Sequence, residues 1–151
     1  MMSHSSLYYV YKDRVELIKE ISDVYKTTWP IYEYIYKLKY PKDNINILHM
    51  TIPQRNRLNR LIRDKTIDEN IRIIFAFTFE NALCYIQYIP RLIIACKSSK
   101  FIEWVEIGEI LSKLEIEPPI LGVGFSSSNE EDAWEAYPEI EAFSLEKYIN
   151  T

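Results

Sequence analysis

The spacing of apolar positions changes several times along the chain, and each change marks a predicted element. Leu7 to Tyr11 is a short β-favouring run. Leu17, Ile18, Ile21, Val24 and Tyr25 then recur at three and four, so 13–27 is predicted as an amphipathic helix ended by Trp29-Pro30. Ile31 to Tyr40 fits two patterns. Ile31, Ile35 and Leu38 suit a helix, while Tyr32, Tyr34, Tyr36, Leu38 and Tyr40 alternate like a strand. The helix is preferred, because Pro30 is tolerated in a first turn.

After the turn-rich Pro41 to Asn44, Ile45 to Thr51 reads as a strand. Pro53 opens a short basic helix whose buried stripe is Leu58, Leu61 and Ile62. From 71 to 79, Ile71, Ile73, Phe75, Phe77 and Phe79 alternate with Arg72, Ala76 and Thr78, which predicts a strand. Ala82, Tyr85, Ile86 and Ile89 form one helical face, with Thr78 as the N-cap and Pro90 as the stop. Leu92 to Cys96 reads as a strand, and 100–115 as a helix burying Phe101, Trp104, Val105, Leu111 and Leu114. Gly108 falls on that face, where its missing side chain allows close packing. Ile120 to Phe125 is a strand, Asn129 starts a helix that Pro138 breaks, and a last helix runs to about Ile149. The expected class is α+β: a single mixed sheet of 45–51, 71–79, 91–96 and 119–125, with helices 13–27 and 100–115 packed on it. Phe75, Phe77, Trp104 and Ile94 are the expected core.

Composition adds limits to this picture. With 151 residues, 48% apolar and 26% charged, the chain is expected to form one folded domain over 1–151. The aromatic share is 14%, with 12 Tyr, a residue suited to half-buried walls and interfaces. Three Gly leave no room for a glycine-rich phosphate loop. A net charge of −4 opposes long-range attraction of nucleic acid, though a local basic strip could still bind. Cys84 and Cys96 lie in apolar stretches and read as buried thiols. Neither a signal peptide nor a run of 18 apolar residues is evident, so a cytoplasmic protein is expected.

The candidate chemistry is sparse. The only histidines are His4 and His49, and no Cys/His cluster offers a zinc site, so no metal is expected. His49 and Thr51, two apart on a predicted strand, share one face and could hold a ribose or a phosphate; the plainer reading is a half-exposed pair near a strand end. Phosphoesterases that use His-x-Thr need it twice, and a second copy is missing.

Leu48-His49-Met50-Thr51, then Asn56 to Ile62, Ile73-Ile74-Phe75-Ala76, Glu80 to Tyr85 and Leu92 to Cys96 follow a family-like order. Over about 45–96 this order resembles small ADP-ribosyltransferases of the rifamycin-modifying type. Met50 stands where that family has Gly, and Ile74 where it has an aromatic. The resemblance implies an NAD cofactor and transfer of ADP-ribose, by an active enzyme or by a degenerate copy that only binds. His49 and Thr51 would grip the ribose, and Phe75 would line the nicotinamide pocket. Glu117 is the acid it suggests, with Glu103 and Glu106 behind it.

Two charged stretches carry the rival reading. Arg55, Arg57, Arg60 and Arg63 crowd one short helix, either as a solvated face or as a contact for phosphate or an acidic partner. Glu130, Glu131, Asp132, Trp134, Glu135, Tyr137, Glu139 and Glu141 combine carboxylates with aromatics, as inhibitors of nucleic-acid-binding enzymes do. Acids at a helix start would account for them equally well. In size and acidity the chain is similar in type to toxin-immunity proteins. That likeness implies a non-enzymatic protein that binds and neutralises a basic toxin, with Glu130, Glu131, Trp134 and Glu135 as contacts.

Overall fold

A computed structural model describes residues 4–23, 27–79 and 83–126. Among them the class is α+β, with a single four-stranded sheet and five α-helices. Strands β1 (His4–Val10), β2 (Val15–Asp23), β3 (Cys84–Tyr85) and β4 (Gly122–Ser126) lie in the order β2-β1-β4-β3, each pair antiparallel. The sheet is therefore not mixed, and of the four segments expected to build it only the last contributes.

The expected helix at 13–27 is largely β2. Leu7 pairs with Lys19 but Tyr8 with Leu17, which leaves Ile18 extra; Ser5 pairs with Ser22 but Ser6 with Glu20, which leaves Ile21 extra. Both extra isoleucines pack against the main core. Two one-residue insertions three positions apart turn a period of two into a spacing that imitates a helix. Val24 and Tyr25 lie outside the described residues.

Helix α1 (Trp29–Lys39) starts with Pro30 in its first turn, as expected, and buries Ile31, Ile35 and Tyr36. Helix α2 (Ile52–Arg60) begins at Pro53 as read and buries Leu58, with Leu61 and Ile62 buried in the 3-10 turn that follows. Helix α3 (Glu69–Phe79) replaces the strand expected at 71–79. Ile73, Ile74, Phe75, Ala76 and Phe77 are all fully buried, so this helix is enclosed on every side. An enclosed helix needs no polar face, and the chance alternation of its apolar residues carries no period information. Arg72, also buried, donates from Nε to the Ile67 carbonyl at 3.2 Å and from Nη1 to that of Ile62 at 3.5 Å. It thereby satisfies carbonyls in the turns leading into α3.

Helix α4 (Ile89–Lys97) replaces the strand expected at 91–96, and Pro90 opens it instead of stopping a preceding helix. Ile89, Leu92, Ala95 and Cys96 face inward, whereas Ile94, expected in the core, is 55% exposed. Helix α5 (Ile102–Ser112) falls within the expected 100–115 and buries Trp104, Ile107, Gly108 and Leu111. A side-chain carbon on Gly108 would lie 2.9 Å from Cys96 Cβ and 3.0 Å from Lys97 Cγ, so glycine lets α5 lie close against α4. Gly122 serves the sheet likewise, because a carbon there would meet the Cys84 carbonyl oxygen at 1.9 Å.

The main core joins Leu7, Val123 and Phe125 of the sheet to all five helices. At its centre Trp104 lies 5.1 Å from Phe125 and 6.4 Å from Phe77, and its indole N–H donates to the Thr27 carbonyl at 2.7 Å. Tyr8, Val10, Val15 and Leu83 form a separate, smaller cluster, as strand alternation requires for Leu7 and Tyr8. No described helix is long and apolar enough to cross a membrane.

Candidate functional site

The residues expected to hold NAD do not share a strand. Segment 45–51 is irregular, with a 3-10 turn over Ile47–His49 that the Asn46 side chain caps by accepting from the Leu48 N–H at 3.0 Å. His49 is exposed at the end of that turn. Thr51 is the N-cap of α2: its hydroxyl accepts from the Gln54 N–H at 3.2 Å, and the Gln54 side chain accepts from the Thr51 N–H at 3.1 Å. This capping box engages the hydroxyl assigned to the ribose. The shared strand face expected for His49 and Thr51 is accordingly not formed.

Phe75 is fully buried in α3, edge-on to Tyr32 at 5.4 Å, so it belongs to the core and not to a ligand pocket. The strand on which the resemblance placed Phe75 is absent, because the segment is helical. Glu117 is exposed on the segment leading to β4, and its carbonyl accepts from the Ile120 N–H at 3.1 Å. Glu103 and Glu106 project from α5, half-buried and exposed respectively. The structure keeps His49 and Thr51 near each other through the chain and leaves Phe75 and Glu117 on other elements. Glu130, Glu131, Trp134 and Glu135 lie outside the described residues.

A different set of polar groups does converge, where the end of α1 meets α2. The Tyr36 hydroxyl donates to Asp43 Oδ2. Arg57 Nη1 reaches the same carboxylate oxygen at 3.2 Å and the Tyr36 hydroxyl at 3.3 Å. Gln54 Nε2 donates to Asp43 Oδ1 at 3.4 Å and to the Asn44 carbonyl at 3.0 Å. The Arg57 guanidinium stands 5.6 Å from the centre of the Tyr40 ring, which is tilted against Tyr36 at 5.0 Å. Burial and the bond to Asp43 hold the Tyr36 phenol above its ordinary pKa, and the bond to Tyr36 raises that of Arg57. Tyr40, Pro41, Lys42, Asp43 and Arg57 line a solvent-open concavity of about 630 Å³. Arginine density pointed to Arg57 in the sequence. Its partners were hidden, because Tyr36 matched two periodicities and Asp43 sat in an unremarkable turn.

Charge is also divided along the chain. Residues 37–65 hold eight of the 18 lysines and arginines and two of the 22 acids. Both of those acids are paired, Asp43 with Arg57 and Asp64 with Lys39 at 3.5 Å. Residues 101–151 hold 12 acids and two lysines. Glu106, Glu109, Glu115 and Glu117 are exposed, Glu103 is half-buried, and no ion pair among the described residues involves any of the five. No group of three or more metal-binding side chains occurs among the described residues. Both thiols are buried, and burial pushes that of Cys96 up to about 12 and that of Cys84 in the same direction.

Comparison with family models, curated proteins and solved structures finds no match to this chain.

Proposed function

We propose that the protein is a non-enzymatic inhibitor of the immunity type, which binds a basic toxin and neutralises it. The acids that begin on α5 and continue in sequence through 130–141 make the contact. The observation that carries this reading is the row Glu103, Glu106, Glu109, Glu115 and Glu117, whose carboxylates form no ion pair among the described residues. Uncompensated acids of one sign destabilise a fold by mutual repulsion, and a basic partner relieves that cost on binding. Trp134 and Tyr137 supply the aromatic anchors that such an interface uses at its centre. An NAD site would need His49, Thr51, Phe75 and Glu117 to face one cleft; Phe75 is enclosed in the core and the Thr51 hydroxyl caps a helix, which favours the inhibitor reading.

The test co-expresses this chain with each basic, growth-arresting protein encoded by a gene that flanks its own. Growth is expected to be restored by the wild type and lost when Glu130, Glu131 and Glu135 are together replaced by Lys. No restoration by the wild type, or equal restoration by the triple variant, would contradict the proposal.

A further inference from the structure

We propose a second site: the concavity between the end of α1 and α2 binds a phosphate group, with Arg57 as its fork and Lys42 and Tyr40 as its walls. It lies in the part of the chain whose charge is opposite to that of the acidic segment.

The first argument is the way Arg57 is used. Every described hydrogen bond of its guanidinium leaves through Nη1, to Tyr36 and Asp43. Nε and Nη2 carry none among the described residues. That edge is the one that meets two oxygens of a phosphate in parallel, the strong bidentate geometry of arginine. The second argument is preorganisation. Tyr36 on α1, Asp43 in the following turn and the Tyr40 ring hold one side of the guanidinium, while Gln54 holds Asp43 in turn. An ordinary surface ion pair has no such support and contributes little. Here the fixed group loses less conformational freedom when an anion arrives.

Asp43 does not spoil the site. Its two oxygens accept from Tyr36, Arg57 and Gln54, so its charge is directed inward and acts to position Arg57. Lys42 adds a positive charge to the lining, and Lys37 and Arg60 are exposed on the flanking helices. The volume, about 630 Å³, exceeds what inorganic phosphate needs, and the Tyr40 ring beside it offers a surface for a flat group attached to the phosphate. A phosphate monoester carrying a ring meets both features.

Calorimetric titration of the whole chain with inorganic phosphate, adenosine 5′-monophosphate and adenosine separates the sources. Phosphate and the nucleotide are expected to bind, and adenosine is not. Tighter binding of the nucleotide would assign the Tyr40 wall to the attached ring, and equal binding would make phosphate itself the ligand. Arg57→Lys keeps the charge and removes the fork, so a loss of about tenfold or more is expected. Arg55→Gln removes an exposed charge that does not line the concavity and should change affinity by less than about twofold. Lys42→Gln, at an exposed position with no bearing on the fold, should weaken both anions. The proposal is overturned if neither anion binds at about 10 mM. Equal losses in Arg55→Gln and Arg57→Lys would overturn it too, as the mark of diffuse attraction, and so would binding of adenosine as tight as that of its phosphate.

Discussion

At the scale of single residues, the groups that look chemically useful in the sequence mostly serve the fold. Cys84, Cys96 and Phe75 are enclosed, and the Thr51 hydroxyl closes a cap. Enclosure makes the thiols a liability in alkali. Their folded-state pKa values lie above the ordinary 9.0, that of Cys96 at about 12, so an unfolded chain gives up these protons first. The stability they contribute is therefore complete below pH 9 and lost as pH rises towards 12. Each thiol is expected to lower the unfolding free energy by about 1.4 kcal/mol per pH unit within that window. Urea denaturation at pH 8 and pH 11 measures this, and Cys96→Ala should flatten the slope. Equal stability at both pH values would mean that the thiols are reached by solvent. None of this needs more than local composition to foresee: both cysteines read as buried from their apolar surroundings. The candidate site was less legible, since His49 and Thr51 depended on a strand that Thr51 and Pro53 themselves interrupt by starting a helix.

At the scale of elements, the sequence misleads where burial on all sides (α3), an isoleucine on the outer face (Ile94 of α4) or a bulge (β2) masks the usual period. Helices α1, α2 and α5 each have a polar face, and all three are readable from spacing and proline position. Helices α3 and α4 are rich in β-branched and aromatic residues. In such segments packing overrides a weak helix propensity. Strand β2 was misread for the opposite reason, because Ile18 and Ile21 at its irregular positions mimic a helical turn. Phe77 remains a core residue although its element changed, so Phe77→Ala is expected to cost about 3–5 kcal/mol in chemical denaturation. A loss under about 1 kcal/mol would place α3 at the surface. Gly108→Ala tests the α4–α5 contact, where Cys96 Cβ is too short and fixed to yield. It is expected to destabilise by about 1–3 kcal/mol, and a neutral or stabilising result would show that the two helices are not this close.

For the whole molecule the central feature is polarity of charge: a basic stretch at the end of α1 and along α2, and an acidic one from α5 onward, in a chain of net charge −4. The two proposals use opposite charges, a cationic protein for the acidic stretch and a phosphate for the basic one. The acidic surface bears most of the proposed function, and its signature is kinetic. Charge-steered partners associate quickly at low salt and slow sharply as ions screen the approach. The most direct test is the association rate with a basic, growth-arresting protein encoded by a flanking gene, measured at about 20 mM and about 500 mM salt. The expected result is a fall of about tenfold or more, largely abolished when Glu130, Glu131 and Glu135 are replaced by Lys. A rate that ignores both salt and these substitutions would contradict the account.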